Sequence, residues 1–249
     1  MKRKLANENQ DFFRPIFRAN WERLFLFNYV VRKELVQKYV PVEIDTFNEQ
    51  AYISLVAFSV TKMRMVGLPN CQRFFLKPFC EHEFLNVSTY VSRGGELGIY
   101  FLEEFVNRYC AIPLAKITYG LPYQYAKIEY EESSEPTLAR GLVGQRKCRE
   151  IFDFKTRPFD SRDCCSCEKG SEAEFLMERY SAFTGRGGLR RRFEIRHKPW
   201  QYCRVEIENW TDDLIRKRVP CLVGAQLVSA YYSAGAYDVE IGFPCWVPS

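Results

Sequence analysis

Gly120-Leu-Pro-Tyr-Gln-Tyr-Ala-Lys-Ile128 is the stretch from which the rest of this chain is best read. Gly120 closes one element, and Tyr123 to Tyr130 reads as a strand that follows it. Upstream, Glu103 to Ile117 reads as a helix. Val106, Cys110, Pro113 and Ile117 fall on one stripe, and Pro113 is expected to kink it. Further back, Asn86 to Ser92 alternates: Asn86, Ser88, Tyr90 and Ser92 point one way, Val87, Thr89 and Val91 the other. Gly94-Gly95 supplies a turn, and Leu97 to Leu102 returns as a hairpin partner. Ala51 to Thr61 is a β-branched and aromatic run that fits a central strand. Trp21 to Val31 reads as a strand, and Val31 to Val40 as a short helix closed by Pro41.

Downstream, Glu131 to Pro136 is an acidic turn, and Arg157 to Gly170 is a polar, cysteine-rich surface loop. Ser171-Glu-Ala-Glu174 is a capping box that opens a helix to Phe183, and Gly185 to Gly188 breaks it. Arg190 to Lys198, Gln201 to Trp210, Val219 to Ser233 and Tyr237 to Phe243 read as strands. The sum is mainly β (α+β), with about three helices between strands and no internal repeat. A closed or strongly curved antiparallel sheet fits this order better than an alternating βαβ fold.

The chain has 249 residues, a length that fits one domain over 1–249. It is 47% hydrophobic, with 20 Phe, 15 Tyr and 4 Trp, which suffices for a packed core and favours sheets and walled pockets. The net charge is +5 and the sequence pI about 8.6. That falls short of the pI above roughly 9 of a nucleic-acid-binding domain, so no nucleic-acid partner is expected. No apolar run approaches the ~18 residues of a membrane helix, and no membrane partner is expected either. The basic N-terminus Met-Lys-Arg-Lys-Leu-Ala-Asn-Glu is not followed by an apolar region, which argues against a secretory signal. Ten cysteines without regular spacing then read as reduced thiols of a cytoplasmic protein.

Several segments, in order, resemble the YqjF-like family of uncharacterised bacterial proteins, a branch of the acetoacetate decarboxylase-like superfamily. They are Phe84-Leu-Asn-Val-Ser-Thr-Tyr-Val91, Gly98-Ile-Tyr-Phe-Leu102, Leu121-Pro-Tyr-Gln-Tyr-Ala126, Phe175-Leu-Met-Glu-Arg-Tyr180 and His197-Lys-Pro-Trp200. The resemblance implies a cone-shaped antiparallel β-barrel with a few flanking helices and an interior pocket. In the superfamily a glycine, a proline and two lysines precede a short strand, and the first lysine forms a Schiff base with a keto-acid. Tyr123 and Gln124 hold those two places here. A hydroxyl cannot form an imine, so the resemblance carries the fold without the reaction. The family's Asn-Val-x-Thr-Tyr-Val motif has arginine where Ser88 stands.

Six residues are candidates for lining a ligand pocket. Tyr123 offers a hydrogen bond to a carbonyl or carboxylate, or is simply satisfied by backbone. Asn86 and Tyr90 lie on the polar face of their strand, which faces either a cavity or water. Arg179 borders the apolar side of its helix, where it would clamp a carboxylate or pair with Glu174 or Glu178. His197 shares a face with Phe193 and Ile195, beside Pro199-Trp200, and would serve as base, donor or satisfied core histidine. Trp200 completes the set. Lys127 and Lys116 are the replacement amines, better read as facing solvent. Cys164, Cys165 and Cys167 contain a Cys-x-x-Cys pair without a second knuckle, so no metal is expected. His82 with Cys80 is too isolated to complete a metal site. No Walker loop, Rossmann fingerprint or serine triad is present, and no cofactor is expected.

The expectation is a cytoplasmic barrel that binds a small carbonyl- or carboxylate-bearing ligand without a covalent imine. One alternative is a lyase or hydrolase that acts on a keto-acid-like substrate through a relocated lysine or acid–base residues. The other is a non-catalytic, oligomeric interaction protein. Whether a reaction occurs, and whether the chain forms a homo-oligomer, stay open at this point.

Overall fold

Long runs of β-branched and aromatic residues make strands that are apolar on both faces. The structure, a computed structural model, describes residues 13–67, 80–133, 137–146, 148–185 and 190–247. In chain order these form β1 (Pro15–Val31), α1 (Lys33–Gln37), β2 (Glu43–Ile44), β3 (Ala51–Met65), β4 (His82–Arg93), β5 (Glu96–Val106), α2 (Ala111–Thr118), β6 (Tyr123–Tyr125) and β7 (Lys127–Ser133). They continue with β8 (Leu138–Gly144), β9 (Ile151–Thr156), β10 (Cys165–Ser166), α3 (Glu172–Met177), β11 (Ser181–Thr184), β12 (Arg191–Arg196), β13 (Gln201–Arg204), β14 (Ile207–Thr211), α4 (Asp213–Arg218), β15 (Gln226–Gly242) and β16 (Cys245–Trp246).

Seven strands close into a barrel in the order β15-β1-β3-β4-β5-β11-β12. The ring shuts where Ile195 and Arg196 of β12 pair with Ile241 and Glu240 of β15. Neighbours are antiparallel except at the step from β5 to β11, which is parallel. β11 lies beside Ile99 and Tyr100, while β6 lies parallel beside Glu104 to Val106. The two short strands therefore share one edge of β5. A separate antiparallel sheet, β14-β9-β8-β7, packs outside.

Alternation sorts the side chains into two cores. Phe25, Phe27 and Tyr29 of β1, Ile53 and Leu55 of β3, and Leu85 and Val87 of β4 face outward. There they meet Ile128, Val143, Phe152 and Phe154 of the second sheet. Leu24, Leu26, Phe58, Phe84, Phe101, Phe193 and Ile195 face the interior, joined by Leu176 and Met177 of α3. Each large apolar side chain so buried is worth roughly 1.5–3 kcal/mol. The barrel wall tolerates one very close approach. At Gly235 (φ +116°) an added Cβ would lie 1.9 Å from the Trp21 carbonyl oxygen, so glycine is required there.

Several boundaries differ from the sequence reading. Glu103 to Val106 belong to β5, and the helix is confined to Ala111–Thr118. Pro113 sits in its first turn, where a missing N–H is tolerated, so no kink is needed. The capping box does open α3, with Ser171 Oγ accepting from the Glu174 N–H. The Glu174 carboxylate, however, accepts from the Gly170 N–H, and the helix stops at Met177. The stretch Tyr123 to Tyr130 is two strands in different sheets, split at Ala126. Gln201 to Trp210 is split the same way. Val219 to Leu222 is helical turn, and one long strand, β15, covers the two last strand readings. β8, β9 and α4 were not foreseen. The loop 157–170 carries a 3₁₀ turn and β10. The glycine break after Gly185 and the tip of the acidic turn at 134–136 lie outside the described residues.

Candidate functional site

Three neighbouring strands place three polar side chains in a row inside the barrel. Asn86 on β4 stands directly opposite Glu104 on β5, and Glu104 stands beside Tyr123 on β6. Opposed side chains on one face have Cβ atoms about 4.5–5.5 Å apart. All three line a cavity of about 170 Å³ whose other walls are apolar, among them Trp21, Phe58, Phe84, Phe101 and Phe193. α2 covers one side with Ala111, Leu114 and Ala115. This space suits a small organic molecule better than one or two waters.

Sequence reasoning missed Glu104, and a β-bulge explains why. Val87 pairs with Glu103 but Ser88 pairs with Phe101, which leaves Leu102 as the extra residue. Parity shifts by one across Leu102, so Phe101 and Glu104 both face the interior. The apolar run Phe101-Leu-Glu-Glu-Phe-Val106 carried the only hint: two carboxylates inside a strand-like segment.

Two atoms of the row are unsatisfied. Among the described residues, Glu104 Oε2 and Asn86 Oδ1 are buried with no hydrogen-bond partner. Glu104 is 2% exposed. Burial, and then the nearby Glu103, push its carboxyl well above the ordinary carboxylate range. Such a shift favours the neutral acid, which has an O–H to donate. Burial likewise raises the Tyr123 hydroxyl, helped by Glu104 and Tyr119, so it too keeps its proton. The Tyr123 ring meets Phe84 edge-on at 5.5 Å. Asn86 can turn either amide atom toward the cavity. His82 lines the same cavity farther along β4. Its Nδ1 lies 2.7 Å from the Glu81 carbonyl oxygen, and burial lowers its pKa, so the ring is neutral with Nδ1 as donor.

A second chamber of about 90 Å³ adjoins the first and shares Trp21, Phe58, Asn86, Phe101 and Ile195 with it. It gathers Tyr90, Arg179, His197 and Trp200. The structure thus brings all six candidates to one barrel interior, with Tyr123 in the first chamber and Asn86 at the junction. Most polar groups of the second chamber are engaged, although Arg179 Nη1, in ion-pair range of Asp45, has no well-aligned hydrogen bond. The Tyr90 hydroxyl lies 2.6 Å from Ser54 Oγ and donates to the Leu176 carbonyl at 3.0 Å. Arg179 pairs with Asp45 at 2.9 Å, correcting the expected partners Glu174 and Glu178. Its Nε–H donates to the Phe175 carbonyl, and the guanidinium lies over the Phe175 ring. His197 Nδ1 meets the Lys198 carbonyl at 2.8 Å, and its ring packs on Trp200 and Tyr180. The Trp200 backbone N–H donates to Glu178.

The amines lie elsewhere. Lys127 is 73% exposed and pairs with Glu129 at 2.7 Å, because the break at Ala126 moves it to the outer sheet. Lys116 is exposed on α2. Gln124 alternates away from Tyr123 and donates to Glu103. Cys167 packs against the inner core and Cys164 against the outer one. Among the described residues no three His, Cys, Asp or Glu converge on a common point, and no helix is long and apolar enough to cross a membrane.

Comparison with known proteins places this geometry. The model of the family DUF2071, described as an uncharacterized conserved protein (COG2071), matches residues 18–235. The chain belongs to this family. It is 30% identical over 197 residues to the uncharacterized protein YqjF of Bacillus subtilis (strain 168), covering 78% of this chain and 77% of YqjF. An acetoacetate decarboxylase-like enzyme from Sphingomonas wittichii RW1 superposes with a TM-score of 0.67 at 10% identity, over 98% of both chains. The enduracididine biosynthesis enzyme MppR, complexed with the condensation product of pyruvate and imidazole 4-carboxaldehyde, superposes with 0.67 at 9% identity, over 96% of this chain and 92% of MppR. At such identities the likeness shows the fold: this DUF2071 member has the acetoacetate decarboxylase-like barrel.

Within the family motif on β4, Ser88 occupies the place that the resemblance gives to arginine. Ser88 is buried and lines the second chamber.

Proposed function

We propose that this protein binds a small, mostly apolar carbonyl compound in the first chamber. The ligand's carbonyl oxygen accepts hydrogen bonds from the Tyr123 hydroxyl and the neutral Glu104 carboxyl. The observation that carries this reading is the unpartnered Asn86 Oδ1 and Glu104 Oε2 beside Tyr123 in an otherwise apolar cavity. Buried polar groups without partners are rare in native proteins, and a ligand oxygen supplies what these lack. Tyr123 stands where the resemblance puts the imine-forming lysine, so the carbonyl is polarised by hydrogen bonds and forms no covalent bond with the chain. Two neutral donors aimed at one oxygen also favour charge that develops on it, which suits acid–base turnover of the carbonyl compound.

The carboxylate half of the expectation gains no support. Arg64, the cation among the described lining residues, is paired with Asp238, and the apolar walls of the chamber leave an anionic carboxylate poorly solvated. The relocated-lysine alternative gains none either, since Lys116 and Lys127 face solvent. A cytoplasmic setting rests on the thiols outside disulfides, among them Cys148, Cys203 and Cys221, which suit a reducing compartment.

The test is a panel of ketones and aldehydes screened by native mass spectrometry and ligand-observed NMR. For a compound that binds, Tyr123→Phe and Glu104→Leu should each weaken affinity about tenfold, the loss of one hydrogen bond. Binding unchanged in both variants, or a borohydride-trapped adduct on Lys116 or Lys127, contradicts the proposal.

A further inference from the structure

Cys164 and Cys203 face each other across two short strands. β10 and β13 pair antiparallel, with Cys165 opposite Tyr202 and Ser166 opposite Gln201. The next pair in that register is Cys164 with Cys203. Their sulfurs are 2.9 Å apart and share a hydrogen bond. Both side chains are half-buried against the outer core, so a small reagent reaches them from solvent. Neighbouring thiols point elsewhere: Cys165 is exposed, and Cys167 packs against the inner core. Directly opposed residues in an antiparallel pair have Cα atoms about 4.5–5.5 Å apart, within the range a disulfide spans. The sulfurs need to close only by about 0.9 Å to reach the bond length of about 2.05 Å.

We infer that Cys164 and Cys203 form a thiol–disulfide exchange site whose oxidant is a low-molecular-weight disulfide of the glutathione class. The Cys164 thiolate attacks one sulfur of the oxidant. The oxidant's S–S bond breaks, and the first small thiolate leaves and takes up a proton. Cys203 then gives up its proton and attacks the Cys164 sulfur of the mixed disulfide, releasing the second small thiol. Two protein thiols are oxidised, and one small disulfide is reduced to two thiols. The hydrogen bond with Cys203 lowers the Cys164 pKa, which makes Cys164 the attacking sulfur.

The resulting covalent ring encloses residues 164 to 203. It includes Leu176, Met177, Arg179, Ile195, His197 and Trp200, all of which line the second chamber. Oxidation therefore tethers the segment that builds this chamber to β13.

The experiment treats the folded chain with oxidised glutathione at neutral pH, quenches by alkylation and maps peptides without reduction. The expected product has lost the mass of two hydrogen atoms and yields one cross-linked peptide that joins Cys164 to Cys203. In Cys203→Ser the reaction stops with glutathione held on Cys164. A cross-link between any other pair, or glutathione that persists on Cys164 of the unsubstituted chain, overturns the inference. The mapping of the unsubstituted chain stands whether or not the variant folds.

Discussion

The two chambers share a wall, yet they handle buried polar groups in opposite ways. In the second, Tyr90 bonds to Ser54 and Leu176, the Trp200 N–H meets Glu178, and Arg179 has the counter-charge of Asp45, although its Nη1 lacks a well-aligned hydrogen bond. In the first, Glu104 Oε2 has no partner among the described residues, and Asn86 Oδ1, at the junction, has none either. The difference teaches that an inward polar residue is not in itself a binding group. In the second chamber the polar side chains hold the α3 segment against the barrel, so their chemistry is spent on structure. In the first chamber the free donors and acceptors point to a ligand.

The contrast breaks most visibly at Asp45. Asp45→Asn leaves the Arg179 guanidinium, 4% exposed, without its counter-charge. Removing one member of a buried ion pair costs about 3 kcal/mol or more. Urea unfolding should show that loss, while carbonyl-ligand affinity in the first chamber stays unchanged. A variant as stable as the original would mean that Arg179 is not held by this pair.

A smaller effect of opposite sign is expected in the first chamber. Burial raises the Glu104 pKa, so the folded chain keeps a proton that the unfolded chain loses near its ordinary value of about 4.3. The folded state then binds more protons. The Glu104 contribution to stability is therefore greatest below about pH 4.3, and it declines as pH rises from there toward the raised value. Glu104→Gln removes that decline. The variant should be more stable than the original by about 1 kcal/mol at neutral pH, which is roughly 2–4 °C in Tm for a chain of this size. The two chains should converge at acid pH. Parallel stability curves from pH 4 to 8 would show that Glu104 does not titrate abnormally, and the contrast between the chambers would fail.

Much of the barrel was legible because its strands follow simple alternation. Asn86 and Tyr90 read correctly as one face of β4, and the Gly94-Gly95 hairpin follows from turn chemistry. What stayed hidden were breaks in periodicity. The bulge at Leu102 turned Glu104 inward, and no alternation pattern carries an extra residue. Val106, Cys110, Pro113 and Ile117 are spaced as on a helix, yet Val106 ends β5 and only the later residues are helical. The break at Ala126 sent Tyr123 and Lys127 to different sheets, although an unbroken strand would give them one parity. Arg179 was legible as a buried cation, but its partner Asp45 lies more than a hundred residues away, and no local rule supplies such a contact.

The central claim is that Glu104 is a neutral acid poised to donate a hydrogen bond inside the first chamber. The most direct measurement is the infrared difference spectrum between the original chain and Glu104→Gln at neutral pH. The account predicts that the original chain shows a protonated carboxyl band that the variant lacks. A difference spectrum containing only carboxylate bands would show that Glu104 is ionised, and the proposed recognition of a carbonyl oxygen would be wrong.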